Sequence, residues 1–402
     1  MANRNRILFL TWSVGLGHVA RDLAIVREVR KLNPLAELSW LACPPASQVL
    51  RDAGEEILPE AALIANSTIT VEEAITAGYR LNLSDYLLRA DGDRERNLDV
   101  FRKVISENEF DLIIGDESYE VVAALVDKRI ALRSTFVAIH DFWGLDAMTS
   151  NPEEKLIISR TNRKYMKRVP RQVITYLFVG EPEDVPDKRF GFLKPNRRKQ
   201  AIKSCEFLGY IVPFDGMKQL DQAQARVSLG YGTEPLIICS IGGTAVGKEL
   251  LHLCGKSFSL LREQIPRLGM ILVCGPRLRP DLLQVQEGLE LKSYVPDLWK
   301  HFAACDLAIV QAGGTTTAEL TALRRPFIYF PLEEHFEQEL YITARLERQG
   351  AGIRMQYSQT SPESLAEIVL SNLGRELDYP SIPTNGAKRA ADIINRLLED
   401  GR

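Results

Sequence analysis

The chain has 402 residues, too many for one ordinary hydrophobic core, so two or three domains are expected. Apolar residues make up 45% and charged residues 26%, a usual globular mix, and a net charge of −3 excludes a global field that would recruit nucleic acid. No apolar run reaches the ~18 residues that span a bilayer, no long apolar signal region precedes the first strand, and six scattered Cys without a CxxC pair read as buried free thiols in a reducing compartment; a cytoplasmic protein is expected.

Strand and helix patterns alternate along the chain, the mark of α/β domains with parallel sheets covered by helices on both faces. Residues 6–12 predict a first strand, and residues 18–32 a helix with Leu23, Ile25, Val26, Val29 and Leu32 at helical spacing. Strands follow at 37–42, 111–115, 134–139 and 173–179. The polar, uneven stretch from about 60 to 97 predicts an elaborated loop with short helices, and Asp91 and Asp93 around Gly92 read as loop residues rather than metal ligands. The basic stretch 151–172 reads as a solvated helix face, with contact to an anionic lipid or acceptor as the alternative. A second alternating set begins at Pro235: strands at 236–240, 270–274, 306–310 and 327–330, with a helix at 248–264. Gly and Pro between Leu208 and Gly216 suit an interdomain linker. This sets an N-terminal domain over 1–212 and a C-terminal domain over 213–402, with an amphipathic final helix from about 387 able to pack back on the N-terminal domain.

Two places at the ends of strands carry chemistry. After the first strand come Gly15, Gly17 and His18; the glycines allow a tight turn and close backbone approach, and His18 opens a helix where open α/β sheets bind ligands. A histidine there either accepts a proton from a hydroxyl or caps the turn. Asp116, closing another strand, either orients that imidazole or is a solvated strand-end carboxylate; Glu117 competes for the role. Phe142 and Trp143, beside His140 and Asp141, either line an acceptor pocket or pack between the domains.

In the second half, the run from Asp306 to Glu319 reads as a buried strand, the turn Gly313–Gly314, and a helix opening with Thr315 and Thr316. Such a helix start seats a phosphate or diphosphate on free amides and the positive dipole end. Glu319 lies a little over one turn further, in reach of a ribose. Gly242, Gly243 and Thr244 follow another strand and offer amides to a phosphate. The run from Phe330 to Glu339, with Glu333, Glu334, Glu337, Gln338 and Glu339, follows another strand; its carboxylates and amide either suit vicinal sugar hydroxyls or form a solvated acidic helix start, while His335 touches phosphate or its own helix.

Taken in order, Tyr294–Leu298, Ala304–Val310, Ala312–Glu319, Arg325–Pro326, Pro331, His335–Gln338 and Gly350–Gly352, with Gly15, Gly17 and His18, resemble the GT-B glycosyltransferases, in the UDP-glycosyltransferase and peptidoglycan-precursor N-acetylglucosaminyltransferase branch. The resemblance implies two Rossmann-like domains facing a cleft, with the nucleotide sugar bound mainly by the C-terminal one. It implies that Ser293, Tyr294 and Val295 meet the base, Glu319 the ribose, Gly242–Thr244 and Gly313–Thr316 the diphosphate, and Glu337 and Gln338 the sugar. His18, beside Gly17, would be the base and Asp116 its orienter. Two departures stand out: Gln311 replaces a phosphate-contacting His or Arg but can still donate, and Thr343–Ala344 replaces the usual Asn-Ala. The expected function is an inverting transfer from a nucleotide diphosphate sugar, with UDP preferred, to an acceptor hydroxyl, without cofactor or metal. The acceptor class is left open between small molecule, glycan and lipid-linked molecule, with peripheral membrane contact allowed. The alternatives are a UDP-sugar 2-epimerase and a non-catalytic nucleotide-sugar binder.

Overall fold

The computed structural model describes residues 4–12, 14–76, 79–167, 169–214, 221–278 and 287–400. Residues 215–216 of the expected linker and Ser13 of the first glycine turn lie outside these. The chain forms two compact units, one of Met1–Ala74, Leu83–Pro213 and Pro383–Arg402, the other of Ile75–Asn82 and Phe214–Ile382.

The first unit is built on a seven-stranded parallel sheet of β1 (Arg6–Thr11), β2 (Glu37–Ala42), β3 (Glu56–Ile57), β4 (Leu112–Asp116), β5 (Thr135–His140), β6 (Ile174–Val179) and β7 (Cys205–Gly209), in the order β3-β2-β1-β4-β5-β6-β7. Both faces of the sheet's middle are buried, so its central strands are mostly apolar and their residues alternate between two cores. Ile7 and Phe9 pack with Val26, Trp40 and Ile114 on one side. Leu8 and Leu10 pack with Phe101, Val121 and Phe136 on the other. The last helix, Gly386–Asp400, completes the first of these cores with Ala390, Ala391, Ile394 and Leu398, against helix Gly17–Leu32.

The expected loop around Asp91 is instead part of a 25-residue helix, Leu83–Glu107. Its buried positions Leu83, Leu87, Ala90, Leu98, Phe101 and Val104 hold helical spacing straight through Gly92. A Cβ at Gly92 would meet nothing within 4 Å, so the glycine sits on the open face and costs only its propensity, about 1 kcal/mol. Asp93 accepts a hydrogen bond from Thr70 at 2.5 Å.

The second unit carries a six-stranded parallel sheet of β8 (Leu236–Ser240), β9 (Gly269–Val273), β10 (Leu289–Lys292), β11 (Leu307–Gln311), β12 (Phe327–Phe330) and β13 (Ile353–Arg354), ordered β10-β9-β8-β11-β12-β13. The two sheets thus repeat one connectivity: three strands wind outward one way, then the chain returns to the middle and winds the other way. That reversal lies between β1 and β4 in the first unit and between β8 and β11 in the second. In open α/β sheets such a switch leaves a crevice at the strands' carboxyl ends, because the following loops diverge. All six Cys are free and buried.

Candidate active site

At the first switch point, β1 runs into the turn before helix Gly17–Leu32, and Asp116 is the last residue of β4, its neighbour in the sheet. This brings His18 and Asp116 together: Nδ1 lies 3.2 Å from Asp116 Oδ2. With the proton on Nδ1, facing the carboxylate, Nε2 is left bare. Glu117 Oε2 stands 3.6 Å from that nitrogen. Glu117 holds a φ of +50°, the left-handed region, which turns its side chain back toward His18 directly after the strand.

Arg21, three residues beyond His18 on the same helix face, is almost fully buried and ties the cluster together. Its Nε donates to Asp116 Oδ2 at 2.7 Å and its Nη2 to Asp116 Oδ1, while Nη1 donates to Asp141 Oδ2 at 2.8 Å. Burial alone would push the Asp116 carboxyl up, but the Arg21 guanidinium, followed by His18, outweighs it and holds the group down at about 2. Asp141 is likewise raised by burial and lowered further by Arg21. Asp116 is therefore an anion at any physiological pH. Arg21 was not singled out from the sequence, although its i+3 spacing from His18 was there to see; Asp141 was noted only as a neighbour of Trp143. Among the described residues, His18, Glu117 and Asp141 form one trio whose ligand atoms lie within 4.8 Å of one another, near enough to hold a metal ion. Phe142 and Trp143 are both buried, and Trp143 packs with Phe178, Val185 and Phe190 inside the first unit.

At the second switch point, β11 leads through Ala312 and Gly313 into helix Gly314–Leu323, which has no side-chain cap. Its first amides lack an intrahelical acceptor; the Thr317 N–H is the first to close, on Gly313 O at 3.0 Å. A Cβ at Gly313 would meet nothing within 4 Å, and one at Gly242, in the turn after β8, likewise nothing. The space over both glycine turns is open to a ligand. Thr244, beside them, is buried and its Oγ1 accepts from the Val246 N–H at 3.1 Å. Gln311, expected to donate to phosphate, does something else. In the orientation that satisfies its amide it donates to Ile241 O at 3.0 Å and Val246 O at 3.3 Å, tying the two turns together. Arg345, which the sequence reading did not single out, is buried beside this helix start and donates to Gly314 O at 3.0 Å and Thr317 Oγ1 at 2.5 Å.

Glu319 lies on the same helix, 7% exposed, and makes no hydrogen bond among the described residues. Burial first, then the charge of Asp297, pushes its carboxyl up to about 8. Asp297 follows Tyr294, which is partly exposed, and Val295, which is buried, so the segment expected to meet a base is in electrostatic reach of the residue expected to meet a ribose. After β12, Glu337 and Gln338 open a π-helical stretch, Glu337–Ile342, a geometry common at functional sites. Gln338 Oε1 accepts from the Leu332 N–H at 2.7 Å, which leaves its amide N–H2 as the end to face a ligand. His335 Nδ1 accepts from the Gln338 N–H at 3.4 Å, so its own proton sits on Nε2.

Two parallel-sheet units of this connectivity, each reversing its winding direction in mid-sheet, have the architecture of the GT-B fold. Residues 237–397 match the Glycosyltransferase family 28 C-terminal domain. The UDP-N-acetylglucosamine–N-acetylmuramyl-(pentapeptide) pyrophosphoryl-undecaprenol N-acetylglucosamine transferase of Clostridioides difficile is 25% identical over 94% of this chain and 85% of its own. That of Acetivibrio thermocellus is 24% identical over 96% of each. The crystal structure of the glycosyltransferase of kitacinnamycin superposes with a TM-score of 0.60 at 16% identity, covering 99% of this chain and 100% of that one. The chain is a glycosyltransferase, and over most of its length it is similar to these peptidoglycan-precursor enzymes. Among the described residues, no helix is long and apolar enough to cross a membrane.

Proposed function

We propose that the protein transfers a sugar from a UDP-sugar to an acceptor hydroxyl with inversion and without a metal. The observation that carries the reading is Glu319, a buried carboxyl with no side-chain hydrogen bond among the described residues, on a helix whose amino end has no side-chain cap. A ribose diol satisfies the carboxyl and a diphosphate satisfies the amides, so one nucleoside diphosphate accounts for both. On this reading the uncapped helix, the turn Gly242–Thr244 and the positive charge of Arg345 stabilise the leaving diphosphate. The trio His18, Glu117 and Asp141 belongs to the first unit and not to this seat, and the seat's own groups are amides, hydroxyls and a guanidinium, which serve an anion without a bridging ion.

The acceptor oxygen forms the new bond to the anomeric carbon as the bond from that carbon to the phosphate oxygen breaks, and the bonding pair leaves on the diphosphate. The acceptor's proton passes to His18 Nε2, and Asp116, already ionised, steadies the imidazolium through Nδ1. Attack from the face opposite the departing group inverts the anomeric configuration.

The relatives are named for a lipid-linked acceptor. An acceptor of that kind suits the loop Arg189–Asn196 of the first unit, where Phe192 is 92% and Leu193 81% exposed next to Arg189 and Lys194. The test of the donor half needs no acceptor. Binding to the folded state raises the melting temperature, so UDP should raise it more than dTDP or GDP, with or without a chelator; a flat response to all three sinks the reading.

A further inference from the structure

Residues 75–82 belong to the second unit although the chain on both sides of them, Ala74 and Leu83, belongs to the first. Of these, residues 79–82 are fastened to the segment that follows β12. Tyr79 is fully buried and its hydroxyl donates to Phe330 O at 2.9 Å. That same carbonyl accepts from the Ala312 N–H at 3.1 Å, next to the phosphate turn. The Leu81 N–H donates to Glu333 O at 2.9 Å, and the Glu333 N–H to Tyr79 O at 3.2 Å, a short parallel bridge between Arg80 and Glu333. The Arg80 guanidinium lies 3.4 Å from Glu333 and 3.6 Å from Glu334, whose φ of +62° is one that an L side chain holds only under restraint.

What this arm restrains is the start of the stretch bearing the sugar-facing residues. The Leu332 N–H, one residue before the bridge, holds Gln338 by its side-chain oxygen. The diphosphate seat has its own internal ties through Gln311 and Arg345. We propose that Tyr79 and Arg80 are positioning residues for the donor sugar: they fix Phe330–Glu334, and through it the direction in which Gln338 presents its amide, without touching the nucleotide. The proposal rests on the reading of the second unit as the donor-binding half.

The experiment compares wild type, Tyr79→Phe, Arg80→Gln and Arg80→Lys by calorimetry, with UDP, UDP-N-acetylglucosamine, UDP-glucose and UDP-galactose as probes. For the UDP-sugar that wild type binds best, Tyr79→Phe and Arg80→Gln should each raise Kd about fivefold, the worth of one hydrogen bond. The Kd for UDP should not move, and Arg80→Lys should recover part of the loss by keeping the charge. Parallel weakening of UDP and UDP-sugar would make the arm merely structural and overturn the inference. So would no change in either, or a wild type that binds no UDP-sugar differently from UDP. A wild type that does not bind UDP at all is a separate result, which removes the donor reading and the inference with it.

Discussion

The two switch points share one strand order and differ in almost everything else. The first is crowded with ionisable groups: the Arg21 guanidinium holds Asp116 and Asp141, His18 lies against Asp116, and Glu117 stands near His18. The second is almost bare, two glycine turns and a helix start, with Arg345 behind them and one carboxyl, Glu319, pushed toward its neutral form. Topology therefore supplies the place, and side chains decide the chemistry. A buried Asp116–Arg21 pair holds the His18 imidazole in one orientation. On the proposed reading, an uncapped helix start receives an anion brought from outside, and any side chain above it would take the ligand's room.

The sharpest way to break this division is His18→Ala. If proton transfer belongs to the first unit alone, kcat should fall about 10²–10⁴-fold, the usual worth of a positioned general base, while the melting-temperature rise given by UDP stays at its wild-type size. A variant that loses turnover and UDP binding together would show that the histidine serves the donor, and the division would fail.

Much of this was legible in the sequence because both switch points follow apolar strands that end in unusual residues. Glycines and a lone histidine after β1, and paired glycines and threonines after β11, have few structural reasons to be there. Asp116 was legible as the residue closing an apolar run. The helix Leu83–Glu107 was not, because Asp91, Gly92 and Asp93 imitate a turn; buried Leu87, Leu98 and Phe101 outweigh them once the sheet is there to pack against. The edge strands β10 and β13 are short and half polar, so no period shows in them. Gln311 was assigned to phosphate by resemblance, while the partners its amide has in the structure, Ile241 and Val246, lie 70 and 65 residues earlier. The arm gave no signal at all: Tyr79 makes sense only beside Phe330, some 250 residues on.

Glycine offers a second test, since the two sites use it for different reasons. At Gly115, just before Asp116, a Cβ would lie 2.5 Å from Phe136 Cζ and 2.9 Å from Ser118 Oγ. Gly115→Ala should therefore destabilise the fold by about 1–3 kcal/mol, as overpacking does, measured by urea unfolding. At Gly313 the backbone φ is an ordinary −74° and the added methyl meets no protein atom. Gly313→Ala should leave the unfolding midpoint in place and abolish the UDP shift, because the methyl enters the space above the seat. If Gly313→Ala binds UDP normally, the open space is not where the diphosphate goes.

The smallest effect is a pH dependence, and its sign is fixed by Glu319. Its folded value near 8 lies above the ordinary 4.5, so between those limits the folded state holds a proton that the unfolded chain has released. Stability linked to this group is complete below about pH 4.5 and is lost as pH rises through the folded value near 8, beyond which it changes no further. Asp116 works in the opposite sense, being held down to about 2 by Arg21, so its contribution is present above the ordinary carboxylate range and lost only in strong acid. The window from pH 5 to 8 thus isolates the second unit's carboxyl from the first unit's. Glu319→Gln keeps the shape and removes the titration; the difference in unfolding free energy between wild type and variant should change steadily across that window, in favour of the variant as pH rises. A difference that stays flat would mean Glu319 is already ionised in the free protein, and the contrast between a charged site and a neutral one would have to be redrawn.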